Sequence, residues 1–109
     1  MAFSESLAGR IRDAVRRVQG VDEKKMFGGV GFLLHGNMLV GVWKDSLIAR
    51  VGAEDYGAAL AERHVREFDI TGRPVKGWVM VNPEGIDSDR QLAGWVERSL
   101  SFVRTLPVK

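Results

Sequence analysis

The sequence predicts an α+β domain built as a helix, a three-strand meander, a helix, two strands and a closing helix. Three observations carry this reading. Apolar residues recur at spacings of three and four near both ends of the chain and again in its middle. Between those stretches the helical stripe disappears and turn signals cut the chain into short apolar runs. The connections are too short for crossovers, so consecutive strands are expected to run antiparallel.

The first helix spans 4–19. Leu7, Ile11, Ala14, Val15 and Val18 form its apolar stripe, Ser4 is a suitable N-cap and Gly20 a suitable left-handed stop. Strands are then expected near 25–34, 38–43 and 47–51, divided by His35-Gly36-Asn37 and Lys44-Asp45-Ser46. A second helix covers 54–64, with Glu54 and Asp55 in the first turn, where the helix dipole favours acids. Strands near 67–70 and 75–81 flank the turn Thr71-Gly72-Arg73-Pro74. The last helix opens on Ser88 with Gln91 three residues on, the spacing of a capping box. Leu92, Trp95, Val96, Ser99, Val103 and Leu106 line one side of it, and Pro107 ends it.

A chain of 109 residues suits one domain over 1–109, and no repeat, linker or low-complexity segment divides it. With no cysteine, disulfides, thiolate metal sites and cysteine nucleophiles are excluded. A small domain without disulfides points to a reducing compartment, so the cytoplasm is expected. No apolar run approaches the ~20 residues of a membrane helix, and the first ten residues do not read as a signal peptide. The formal net charge is +2. Residues 1–25 hold six Lys or Arg against four Asp or Glu, while 51–75 hold three against five, a mild asymmetry.

Chemistry is scarce. Gly28-Gly29-Val30-Gly31 could cradle a phosphate, but neither GxGxxG nor a P-loop is present and no helix follows, which favours a bulge or close backbone approach. His35 and His64 have no partner at metal-ligand spacing, and the serines include no GxSxG elbow. No catalytic residue, metal or cofactor is expected. Arg12, Arg16, Arg17, Lys24 and Lys25 could touch nucleic-acid phosphates, although Asp22 and Glu23 interrupt them and a solvated helix face explains the arginines as well. Any such binding is expected to be weak.

Two ordered stretches carry a family likeness. Lys25-Met26-Phe27-Gly28-Gly29-Val30-Gly31-Phe32, followed by Gly36-Asn37-Met38, resembles the opening signature of the N-terminal domain of the TfoX/Sxy competence regulators. Phe68, Thr71-Gly72-Arg73-Pro74-Val75-Lys76-Gly77-Trp78-Val79 and the Trp95-Val96 pair resemble its second half. The resemblance implies a five-stranded antiparallel sheet, an architecture like that of secretion chaperones, and an association with regulation of DNA-uptake competence. It brings no catalytic residues. The full regulators carry a second, C-terminal domain, so these 109 residues are expected to correspond to the N-terminal domain alone.

The leading expectation is therefore a non-enzymatic regulatory or protein-interaction domain. The alternatives are a nucleic-acid-binding accessory, or a small-ligand binder at the glycine-rich strand. Strand parity adds a partner. Both sheet faces read as apolar, and three modest helices cover one face more readily than two. Phe27, Leu39, Trp43, Trp78 and Met80 are expected on the uncovered side, buried by a second copy in a homodimer. The competing expectations are a helix wrapped onto that face, or bulges at the glycines that reset the alternation.

Overall fold

The computed structural model describes residues 3–26, 28–70 and 72–109. The first helix, α1, runs Glu5–Val15, and the Ser4 hydroxyl accepts the Leu7 N–H at its start. It ends four residues short of the expected end at 19, with Arg16 as C-cap. Residues 16–20 form turns that lead to the left-handed Gly20. The strands that follow are β1 (Val21–Met26), β2 (Gly29–Leu34), β3 (Asn37–Trp43) and β4 (Ser46–Arg50). Helix α2 (Ala53–Leu60) precedes β5 (Val65–Glu67) and β6 (Trp78–Val81). A 3-10 turn at Pro83–Ile86 leads into α3 (Asp89–Val103). The capping box is present: Ser88 Oγ accepts the Gln91 N–H at 3.1 Å and Gln91 Oε1 accepts the Ser88 N–H at 2.9 Å.

These strands make a single antiparallel sheet of six in the order β1-β2-β3-β4-β6-β5, one strand more than expected. The difference lies in the stretch read as one strand over 25–34. Met26 pairs with Gly29, so the chain reverses between them through Gly28 at φ +75° and becomes a hairpin. Nothing polar marks that reversal, which is why apolar content alone joins its two arms.

Helices α1 and α3 cover one face of the sheet. Leu7, Ile11 and Val15 from α1 and Leu92, Val96, Leu100 and Val103 from α3 pack on Val30, Phe32, Val40, Val42, Leu47 and Val79. Arg10 pins the two helices at one end: its Nε donates to Asp89 Oδ1 at 3.2 Å and its guanidinium donates to the Ile86 carbonyl at 2.7 Å.

The other face is covered over β4 and β6 by the loop between β5 and β6, where a wrapping helix was the alternative expectation. Phe68, Ile70, Val75 and Trp78 lie with Ile48 and Met80 in a second cluster, and the Phe68 and Trp78 rings stack at 5.7 Å. The loop is tied down at Gly77, whose carbonyl accepts the N–H groups of both Val51 and Gly52 at 2.8 and 3.0 Å. Gly77 has φ +94°, and a Cβ there would lie 3.2 Å from the Gly52 backbone. Glycine is therefore required at this anchor twice over.

Candidate functional site

On the second face, the described loop residues pack over β4 and β6 and against Trp43, short of the rest of the β1–β2–β3 end. Register assigns the residues of that end. Asp22, Lys24 and Met26 of β1 share the face with Gly29, Gly31 and Leu33 of β2, and with Met38, Gly41 and Trp43 of β3. Met38 faces this way because the ladder slips between Phe32 and Leu33. Phe32 pairs with Val40 and Leu33 with Met38, leaving Leu39 as the extra residue. That bulge turns both Leu39 and Val40 into the helix-covered core, each fully buried.

The expected exposed patch is corrected accordingly. Leu39 lies on the opposite face, and Met80 is fully buried in the cluster with Phe68. Trp43 and Trp78 are half-buried against that cluster, and Phe27 lies outside the described residues. Bulged alternation thus did reset the facing, one residue pair away from the glycines rather than at them.

What remains is a shallow platform paved with methionine over glycine. A Cβ on Gly31 would sit 2.8 Å from Met38 Sδ and 2.9 Å from Met26 Cε, so both thioethers lie across the bare strand. A Cβ on Gly41 would sit 2.8 Å from Met38 Cε and from the Val30 carbonyl oxygen. At Gly29 a Cβ would collide with the Val42 carbonyl oxygen, so the hairpin and β3 approach closer than any side chain allows. Met26, Leu33, Met38 and Trp43 are all half-buried. Lys44 Nζ stands 4.6 Å over the Trp43 ring at one corner. Nearby, Arg50 donates to the Met38 carbonyl at 3.4 Å and lies between the Trp78 and Phe102 rings at 5.1 and 5.6 Å. Burial pushes the Arg50 guanidinium below its ordinary pKa.

The glycine run is not a turn that opens a helix: methionine side chains lie over Gly31, the Val42 carbonyl closes on Gly29, and β3 follows β2. The other signature residues set the path of the backbone. Gly36 and Gly72 sit at left-handed turns, and Arg73, Pro74 and Lys76 are exposed on the covering loop beside Gly77.

The five basic residues do not converge. Arg12 is engaged by Glu23, Nε to Oε1 at 2.5 Å, and that carboxylate raises its pKa by hydrogen bond and charge. Arg16 lines a hollow with Arg12 and Glu23, whereas Arg17 lines a separate one with His35 and Arg104. Lys24 and Lys25 are exposed on opposite faces of the edge strand. His35 and His64 are both exposed, at separate left-handed turns. Among the described residues no three His, Asp or Glu side chains group to hold a metal, and no helix is long and apolar enough to cross a membrane.

Sequence reasoning missed Met38 as part of the platform, because the bulge inverts simple alternation between it and the rest of β3; Leu33 and Gly41 share parity with residues placed there but were not named. One signal was available: Gly31 and Gly41 are paired across the ladder, and glycine inside strands marks close approach from above.

No curated protein and no solved structure matches the chain. A family match covers residues 13–103, from the last turn of α1 to the end of α3, and so includes the platform, the covering loop and α3. The chain belongs to the TfoX N-terminal domain family.

Proposed function

We propose that this chain is a non-catalytic regulatory domain that works by binding protein in the cytoplasm, and that its first partner is a second copy joined along β1. Family membership supports a competence-regulator-like role. The observation that carries the mode of binding is the charge order on the sheet edge. β1 stands at the end of the strand order, and its platform-side residues are Asp22, Lys24 and Met26.

Two antiparallel edge strands related by a two-fold axis normal to the sheet pair residues of equal parity. Centred on Glu23, such an axis sets Asp22 of each copy opposite the partner's Lys24, twice over. Glu23 at the axis already holds Arg12 of its own chain. Opposite charges directly across a ladder contribute roughly 0.2–1 kcal/mol per pair, and like charges cost as much.

The pairing also sets two platforms side by side. Three strands about 4.8 Å apart and about 20 Å long give roughly 300 Å² per copy. A stable interface needs about 800 Å² from each partner. One platform is too small to hold a regulated protein alone, and two adjoining ones come close.

Sedimentation velocity at rising concentration tests this. The wild-type chain should dimerise, Asp22→Lys should weaken the dimer about tenfold, and Asp22→Lys with Lys24→Asp should restore it, since two pairs are reversed and then re-formed. If the charges serve only to keep edge strands apart, the wild-type chain stays monomeric at every concentration and the reading fails.

A further inference from the structure

At the far end of the sheet from β1, an open groove of about 690 Å³ lies between the end of α2 and the first three turns of α3. On α3, Arg90, Gly94 and Arg98 recur every four residues and so stand on one side of the helix, with about 12 Å of axial rise from first to last. A Cβ on Gly94 would meet nothing within 4 Å, so the floor between the two arginines is open. The opposite wall is Arg63 and His64.

His64 holds a left-handed backbone at φ +67°, uncommon for a side-chain-bearing residue. Its carbonyl accepts the Asn82 N–H at 2.7 Å, and Gly85 leaves room for its Cβ, since a Cβ on Gly85 would be 3.2 Å away. His64 thereby forms a fixed corner of the groove lining beside Arg63.

The charges are unequal in their freedom. Arg98 is satisfied: Asp55 accepts from it at 3.0 Å, Glu62 accepts as well, and its guanidinium lies 4.3 Å over the Trp95 ring. Burial opposes its charge, but those two carboxylates outweigh burial and raise its pKa. Arg63 and Arg90 are exposed, and among the described residues neither forms an ion pair. Two arginines with no ion pair among the described residues therefore line one groove from two walls, and the one carboxylate in the lining, Glu62, is already bound to Arg98.

We propose that this groove binds a small phosphate-bearing molecule, with Arg63 and Arg90 gripping the phosphate from opposite sides. Guanidinium forks match phosphate oxygens in pairs, and a dianion neutralises both arginines at once, which a single carboxylate does not. The volume falls within the range of small-molecule sites. The site is independent of pairing along β1, which lies at the other edge of the sheet.

The test is titration with inorganic pyrophosphate, read by calorimetry and by amide shifts in two-dimensional NMR. Wild-type protein should bind with Kd of about 1 mM or tighter, corresponding to a free energy of about −4 kcal/mol. Shifts should concentrate at residues 63–64 and 90–94. Arg63→Gln with Arg90→Gln should weaken binding at least roughly tenfold, as expected from losing charged hydrogen bonds. Arg16→Gln with Arg17→Gln should leave it unchanged. Gly94→Leu adds a side chain in open space on a helix, preserves the fold and both arginines, and should also abolish binding by plugging the floor. Absence of shifts in wild type at 10-fold the expected Kd, or equal binding by the double glutamine variant, overturns the proposal. So does an oligothymidylate that binds the same residues far more tightly than pyrophosphate, which would make the ligand a nucleic-acid backbone.

Discussion

The two ends of the sheet's second face solve one problem in different ways. Over β4 and β6, apolar strand residues are sealed by a loop that brings Phe68, Ile70, Val75 and Trp78 onto Ile48 and Met80. Over β1, β2 and most of β3 no such cover is found among the described residues. Side chains are instead removed at Gly29, Gly31 and Gly41, and Met26 and Met38 lie down across the gap. Sealing with rings gives a fixed packing, because aromatic pairs prefer particular geometries. Paving with methionine gives an adaptable one, since the unbranched thioether fits many partners. The first end is a fixed packing and the second an adaptable surface.

This contrast can be broken most directly at Phe68. It is 6% exposed and stacks on Trp78, so Phe68→Ala should destabilise by about 3–5 kcal/mol in urea unfolding. A loss below about 1 kcal/mol, typical of a surface site, would show that the loop does not seal the face. Next in size is Gly29→Val, where the new side chain strikes backbone rather than a movable side chain; roughly 2–3 kcal/mol should be lost. At the paved end Met38→Ala should cost only about 1 kcal/mol, below the usual range for a core methionine, because the side chain is half exposed. A cost as large as that of Phe68→Ala would erase the distinction between the ends.

The helix-covered face supplies a change of opposite sign. Ser99 Oγ is buried with no hydrogen-bond partner, the one such side-chain atom among the described residues. Ser99→Ala should therefore stabilise by roughly 1 kcal/mol, raising the thermal midpoint. An unchanged or lower midpoint would mean that the hydroxyl has a role in the native packing.

Much of this architecture was legible in the residues. The Ser88–Gln91 box, the turns at His35-Gly36 and Lys44-Asp45 and the apolar stripe of α3 appear where local chemistry places them, since each is a short-range preference. What escaped was non-local. The reversal at Gly28 leaves no polar mark, and it needs the Met26–Gly29 pair to be seen. The facing of Leu39 depends on a bulge set by pairing with β2. The cover over Met80 is an irregular loop with no period to read. The arginine groove combines residues from three separate stretches.

The strand order carries one more consequence, for how the chain folds. β5 precedes β6 in sequence yet lies outside it in the sheet, bonded to β6 alone. Its three residues have a single ladder partner, β6, reached only across the loop of residues 68–77. Docking of β6 in turn closes the long loop pinned at Gly77. Closing a loop must be paid in entropy before its contacts form, so this edge assembles late and opens first. Amide protons of 65–67 should exchange well ahead of those in β3, which is bonded on both sides from the start of the meander.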